Sequence, residues 1–241
     1  MPDTAVIVAA GLSSRLYPLT IDTPKGLLPL GGESLLARSI RLLRENGVSR
    51  VAVVVGYRAD SMRASLGPDA TLIPNPFYRQ CNNMGSLFFA RDFVGSDSFV
   101  YLHGDLAYTS PMLGDFLART AKAGSSCLDL LVAMGEKDDE AMKVRMDESG
   151  RLIESNKQIP LDDAAGEWTG IAVAHDPGVV FGAIEKHLMN NGLEDYDTAA
   201  FTSLAREGST IRCVPSNGDP WKEIDTMEDL ESARATFGRI R

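Results

Sequence analysis

Cysteine is scarce: Cys81, Cys127 and Cys213 are the only three in 241 residues, far apart and with no Cys-x-x-Cys pair. That excludes a disulfide framework and a zinc site of the usual spacing, and it predicts reduced thiols in a cytoplasmic protein. Positive charge is scarce as well, with 24 lysines and arginines against 33 aspartates and glutamates, a formal net charge of −9. A nucleic-acid surface needs a basic stripe, so none is expected. An acidic chain can still bind a nucleotide if a few cations and a metal are placed locally. No apolar run is long enough to span a membrane. The run from Ala5 to Ala10 is short and has no basic segment before it, which also speaks against a signal peptide. Repeats, low-complexity tracts and linkers are missing too. What is present is a hydrophobic fraction of 44%, ordinary for a globular protein, in a chain long enough for one substantial domain.

The first half alternates strand and helix signals. Thr4–Ala9 is a continuous apolar run, the pattern of a strand buried on both faces. Glu33–Asn46 reads as a helix, with Leu35, Leu36, Ile40 and Leu43 on one face and Gly47 as its stop. Strands over Val51–Val55, Thr71–Ile73 and Ser98–Leu102 alternate with helices over Ala59–Leu66, Met84–Asp92 and Pro111–Ala123. Repeated β–α units with apolar strands predict an α/β fold, a Rossmann-like, doubly wound and mostly parallel sheet. After a strand at Leu128–Met134 the pattern changes. Met142–Asp147 and Arg151–Ser155 read as a hairpin, and Glu167–Ala174 as a further strand. Helices over Pro177–Asn191 and Asp197–Glu207, strands over Thr210–Val214 and Lys222–Ile224, and a helix over Thr226–Phe237 complete the pattern. One domain is the simplest reading. Ligands of such sheets sit beyond the carboxyl ends of the strands, which is where the most informative loops fall.

Ala9, Ala10, Gly11, Leu12, Ser13 and Ser14 close the first strand and form the loop after it. Glycine and small residues there let backbone N–H groups approach phosphate oxygens. Arg15 can make a paired hydrogen bond to a phosphate, and Lys25 supplies a mobile point charge. The bland alternative is an ordinary loop with solvated cations. Arg15 and Lys25 at this spacing, with Pro18-Leu19-Thr20 between them, outweigh it. The loop lacks Gly-x-Gly-x-x-Gly, which disfavours a dinucleotide-dependent oxidoreductase.

The segment Ala-Ala-Gly-x-x-Ser-Arg-Leu-x-Pro-Leu-Thr-x-x-x-Pro-Lys-x-Leu-Leu-Pro-Leu resembles the signature of the sugar-phosphate and phosphocholine-type nucleotidylyltransferases. The resemblance implies a single-domain fold of the nucleotide-diphospho-sugar-transferase kind. In it, residues 1–125 mainly bind nucleotide, and residues 126–241 mainly bind the acceptor and supply a second metal carboxylate. Ser13 departs from the pattern where many members have glycine. Asp105, just past the strand that ends at Leu102, and Asp225, in Trp221-Lys222-Glu223-Ile224-Asp225-Thr226, stand where the family holds a catalytic Mg²⁺. Carboxylates together with nucleotide phosphates suit that ion. Each aspartate could instead form a turn or cap a helix.

Asn82-Asn83-Met84-Gly85-Ser86-Leu87 is similar to the corresponding segment of phosphocholine and 2-aminoethylphosphonate cytidylyltransferases. Asn82 and Asn83 can donate to and accept from a pyrimidine edge, or one of them can cap the helix beginning near Met84. With Ser86 they are assigned to the nucleotide. In the second half the resemblance assigns Lys157 to the acceptor phosphate and Gly170 to close approach, with Lys143 beside them. Glu167, Asp195 and Asp197 could meet an ammonium group, and Trp168 and Tyr196 could face a cation through their rings; otherwise they are core and solvated residues. His103, His175 and His187 do not cluster in the sequence and read as structural or surface residues.

The expectation is a Mg²⁺-dependent cytidylyltransferase moving CMP from CTP to a small anionic or zwitterionic acceptor such as 2-aminoethylphosphonate, phosphoethanolamine or phosphocholine. No nucleic acid or membrane partner is expected, and a homodimer stays open. A sugar-1-phosphate or inositol-phosphate nucleotidylyltransferase is the runner-up, and a non-catalytic nucleotide-sensing module the alternative of another class.

Overall fold

The computed structural model describes residues 1–238 apart from Ala123, Ser125, Glu136 and Asn191. β1 (Thr4–Ala9) is an interior strand of a nine-stranded sheet. Successive side chains of a strand point to opposite faces, and here both faces are apolar. Ala5 and Ile7 enter one core, and Val6 and Val8 the other. A strand apolar on both sides must be covered on both sides, which is why the sheet is doubly wound.

In chain order the elements are β2 (Pro29–Leu30), β3 (Glu33–Ser34), α1 (Leu35–Glu45), β4 (Arg50–Val55), α2 (Ala59–Leu66), β5 (Thr71–Pro74), α3 (Asn83–Phe88), α4 (Arg91–Val94), β6 (Phe99–His103), β7 (Leu106–Tyr108) and α5 (Ser110–Thr120). The second half adds β8 (Leu128–Ala133), β9 (Lys143–Met146), β10 (Leu152–Asn156), β11 (Gly166–Ala174), α6 (Pro177–Met189), α7 (Asp197–Arg206), β12 (Ile211–Pro215), β13 (Trp221–Glu223) and α8 (Met227–Phe237). Helices α1, α2 and α5 pack on the Ile7 face, and α3, α6 and α7 on the Val6 face.

β5, β4, β1 and β6 pair in parallel, as the β–α alternation predicts. β11 then runs against β6, β8 and β9, and the expected hairpin forms between β9 and β10. Only β11 and β10 oppose the direction of β1, so the sheet is mostly parallel. The register of β11 shifts between Trp168 and Ala172, and Gly170 in that bulge has φ +80°. Gly47, the expected stop of α1, has φ +85°.

Three features differ from the sequence reading. Met84–Asp92 is not one helix: Ala90 N bonds Leu87 O at 2.9 Å, and this tightened turn separates α3 from α4. β7 is too short to show in the sequence and exists through its antiparallel ladder with β13, Leu106 opposite Glu223. α8 closes a third, smaller core with Leu16, Leu28, Leu30 and Ile224, so the last helix packs against the start of the chain. The final residues of two predicted helices, Ala123 and Asn191, lie outside the described residues. Among the described residues no helix is long and apolar enough to cross a membrane.

Candidate active site

A cleft of about 330 Å³ opens beyond the carboxyl ends of β1 and β6. Its floor is built by close backbone packing. Gly104 N donates to Val8 O at 2.9 Å, and a Cβ on Gly104 would lie 2.7 Å from the Ala9 Cβ, so only glycine lets the end of β6 meet the end of β1 there. Beyond Gly11 the loop turns at Ser13, whose φ of 53° and ψ of 43° are left-handed. Ser13 thus occupies a conformation that disfavours a side chain. Thr20 Oγ1 donates to Ser13 O at 2.7 Å and holds the turn.

Four of the charged residues singled out by the sequence meet at one point. Lys25 Nζ lies 2.7 Å from Asp105 Oδ2 and 2.8 Å from Asp225 Oδ1, and Arg15 reaches Asp225 Oδ2 at 2.8 Å. Lys25 begins a single helical turn packed close to α1: a Cβ on the next residue, Gly26, would lie 2.6 Å from Leu36 Cδ1. Asp225 arrives through β13, because Ile224 N donates to Asp105 O at 3.0 Å. Asp225 does not cap α8. Thr226 does, in a reciprocal pair with Asp229, which leaves the Asp225 carboxylate for the cations.

Burial alone would lower the Lys25 pKa, but the Asp105 and Asp225 carboxylates outweigh it and hold the ammonium well above its usual range. Burial likewise opposes ionisation of Asp105, and Lys25 and His103 overcome it, keeping its carboxyl below the ordinary value. Glu223 is pushed up to about 7 by burial and by the neighbouring Asp105 charge. His103 is held at about 9, against burial, mainly by Asp197.

The residues fit a small, hard divalent cation. Among the described residues Asp105 Oδ1 is buried with no hydrogen-bond partner, and an unanswered carboxylate oxygen is costly unless a cation answers it. His103, Asp105 and Glu223 bring ligand atoms within 4.8 Å of one another, beside Asp225.

On the α3 side the hydrogen bonds of the asparagine pair are those of the capping alternative. Asn82 accepts from Asn83 N at 2.8 Å as the N-cap, and Asn83 Oδ1 takes Met84 N at 2.9 Å. Both side chains also line the cleft, with Ser86, which accepts from Asn75 Nδ2 at 3.0 Å. At the other end Lys157 Nζ sits 5.6 Å above the Tyr196 ring, and both line the cleft. Gly170 is required where it stands: a Cβ there would lie 3.0 Å from His103 Nδ1.

The cleft brings together Ala9, Ala10, Gly11, Ser13, Arg15, Lys25, Asn82, Asn83, Ser86, Asp105, Lys157, Trp168, Gly170, Tyr196, Asp197 and Asp225. It does not include Leu12, Ser14, Lys143 or Glu167. Lys143 is 2% exposed and donates to Asp139 O at 2.6 Å, and Glu167 accepts from Asp138 N. Both charges answer the backbone of one loop and do not face a ligand. Trp168 is 4% exposed, its indole N–H donating to Ile171 O at 3.3 Å and its ring packed on His103 and Phe201, so it acts as a wall. Asp197 is fully buried and accepts from Tyr101 Oη at 2.6 Å and Thr198 N at 2.9 Å. Asp195 lies outside the cleft, 3.7 Å from His187 Nδ1.

Sequence reading missed His103, Glu223 and Glu140, all of which line the cleft. His103 Nε2 lies 3.0 Å from both Asp197 Oδ2 and Asn83 Nδ2. The available signal was spacing: His103 and Glu223 each precede a proposed metal aspartate by two residues, which places them at the same strand ends. Glu140 had no such signal.

A family model described as the MobA-like NTP transferase domain matches residues 5–161. A bifunctional IPC transferase and DIPP synthase of Aquifex aeolicus is 30% identical over 238 residues, covering 97% of this chain and 51% of that protein. CMP-5'-(3-aminopropyl)phosphonate synthase of Streptomyces rubellomurinus is 27% identical over 260 residues, covering 100% of this chain and 40% of that protein. The chain therefore spans about half the length of the curated relatives it matches. The inositol-1-phosphate CTP transferase of T. maritima shares the fold, with a TM-score of 0.82 at 23% identity over 99% of this chain and 97% of that one.

Proposed function

We propose, since the chain belongs to the MobA-like NTP transferase family, that it is a cytidylyltransferase moving CMP from CTP to a small phosphate- or phosphonate-bearing acceptor. The observation that carries this reading is the meeting of Lys25, Arg15, Asp105 and Asp225 at the carboxyl end of the sheet. Two cations and two carboxylates there match the needs of a triphosphate and its metal. The relatives support the nucleotide and the acceptor class, for the Streptomyces protein is named for a CMP-phosphonate and the Aquifex protein for IPC transfer. The asparagine pair of α3 offers amides suited to a pyrimidine edge.

An acceptor oxygen attacks the α-phosphorus of CTP in line, the bond from that phosphorus to the bridging oxygen breaks, and pyrophosphate departs. The acceptor is already an anion at neutral pH, so no strong base is needed. Lys25 and Arg15 offset the charge of the triphosphate, and the loop after β1 lies where it can cradle the phosphates. Asp105 and Asp225 would hold Mg²⁺, which, when bound, supplies positive charge to the phosphate oxygens. Gly170 and Trp168 shape the wall, and Lys157 faces the acceptor phosphonate. Catalysis is then mostly positioning and charge neutralisation.

The test is pyrophosphate release with each nucleoside triphosphate, Mg²⁺ and a panel of acceptors: 2-aminoethylphosphonate, phosphocholine, phosphoethanolamine, inositol 1-phosphate and glucose 1-phosphate. CTP with a phosphonate or a phosphate monoester should give the highest kcat/KM. A kcat/KM at least tenfold higher for UTP or dTTP with glucose 1-phosphate would overturn the assignment.

A further inference from the structure

Lys143 and Glu167 carry opposite charges, are 2% and 8% exposed, and face each other across the β9–β11 ladder. A buried charge is costly unless it is answered. Each answers the same short loop instead of the other: Lys143 Nζ donates to Asp139 O at 2.6 Å, and Glu167 accepts from Asp138 N. The loop is closed further from within, Asp138 Oδ1 accepting from Glu140 N at 2.8 Å, and Ala141 N donates to Asp138 O at 3.2 Å. Two buried charges on one exposed loop are more than its solvated backbone needs. What the loop delivers is Glu140, which lines the cleft together with Met142, Lys157 and Tyr196.

The cleft holds five carboxylates, and four have other duties. Asp105 and Asp225 bind Lys25. Glu223 stands within 4.8 Å of Asp105, at the metal end. Asp197 is fully buried under Tyr101 and His103. Among the described residues the Glu140 carboxylate makes no hydrogen bond or ion pair. It is the exposed negative charge left facing an acceptor whose anionic end Lys157 meets.

We propose that Glu140 selects an acceptor carrying a cationic group, and that Lys143 and Glu167 are positioning residues that hold its loop against the cleft. This rests on the cytidylyltransferase reading and names the chemistry at the far end of its acceptor. Lys143 and Glu167 touch no substrate, and their effect passes through the 138–140 backbone.

The test compares 2-aminoethylphosphonate with propylphosphonate, in which a methyl group replaces the ammonium. In the unmodified protein the aminophosphonate should have the higher kcat/KM. Glu140→Gln, an exposed substitution that leaves the fold intact, should lower that preference about fivefold to tenfold, through acceptor KM and not kcat. Lys143→Met and Glu167→Gln should lower the same preference without moving the KM for CTP, whereas loss of fold would move both. An unchanged preference in Glu140→Gln, or equal use of the two acceptors by the unmodified protein, overturns the inference and leaves CTP-dependent transfer standing. Absence of CTP-dependent pyrophosphate release with every acceptor overturns the parent reading and this one with it.

Discussion

Lys25 Nζ lies 2.8 Å from Asp225 Oδ1, although the two residues are 200 positions apart in the chain. The first loop and the last strand thus meet at one ammonium, which also holds Asp105. Replacing Lys25 with methionine keeps much of the side-chain volume and removes the charge. Turnover should fall by about a hundredfold or more, the usual cost of losing one preorganised charge from a reacting centre. Steady-state kinetics alongside thermal denaturation checks this; turnover near that of the unmodified protein would take Lys25 out of the mechanism.

The orphaned Asp105 Oδ1 carries a second prediction. Asp105→Asn and Asp225→Asn keep shape but each removes a charge from the proposed Mg²⁺ site. Both should abolish measurable turnover and weaken Mg²⁺ binding followed by calorimetry, and EDTA should silence the unmodified protein. Full activity in EDTA would dismiss the metal assignment.

Ser13 tests the loop itself. A non-glycine residue in the left-handed region costs about 1 kcal/mol or more, and glycine returns part of that as greater freedom of the unfolded chain. Ser13→Gly should raise stability by roughly 0.5–1 kcal/mol, or about 1–4 °C in Tm for a chain of this size. Ser13→Val, branched at Cβ, should lower it. A Ser13→Gly protein less stable than the unmodified one would show that the serine side chain stabilises the turn.

Away from the cleft, Asp129 predicts acid sensitivity. Its carboxylate is fully buried on β8, accepting from Arg212 Nε at 2.8 Å and Nη2 at 2.6 Å and from Ser126 Oγ at 2.7 Å, with His175 Nε2 at 2.8 Å. Burial would push this carboxyl up, and those partners outweigh it, holding it at about 2 against an ordinary 3.8. A depressed folded-state value means that the stabilisation is complete above about pH 4 and is lost as pH falls toward 2. The amount is about 2 kcal/mol. Chemical denaturation at stepped pH should show that loss in the unmodified protein. Asp129→Asn should be weaker at neutral pH, with a flatter slope between pH 4 and 2. A parallel slope in the two proteins would remove Asp129 as the cause.

Much of the fold was legible because its signals are local. The apolar runs of β1, β4, β6 and β11 and the glycine stop of α1 read directly as strands and helix end. β7 was not legible, since three residues carry no periodicity and the strand exists only where β13 pairs with it. Arg15, Lys25, Asp105 and Asp225 stood out because residue type and position after a strand are both written in the chain, and the structure brings all four together.

Sequence by itself determined the order of elements, the two apolar faces of β1 and the identity of the charges at the carboxyl end of the sheet. Tertiary structure alone decided which of the remaining charges face the cleft. The sequence reading turned Lys143 and Glu167 toward the acceptor, yet they are buried on the 138–140 backbone, while Glu140 and His103 line the cleft. The reason is physical: a buried charge must be answered by whatever polar group lies within hydrogen-bond reach. Which group that is depends on how segments distant in the chain close on one another.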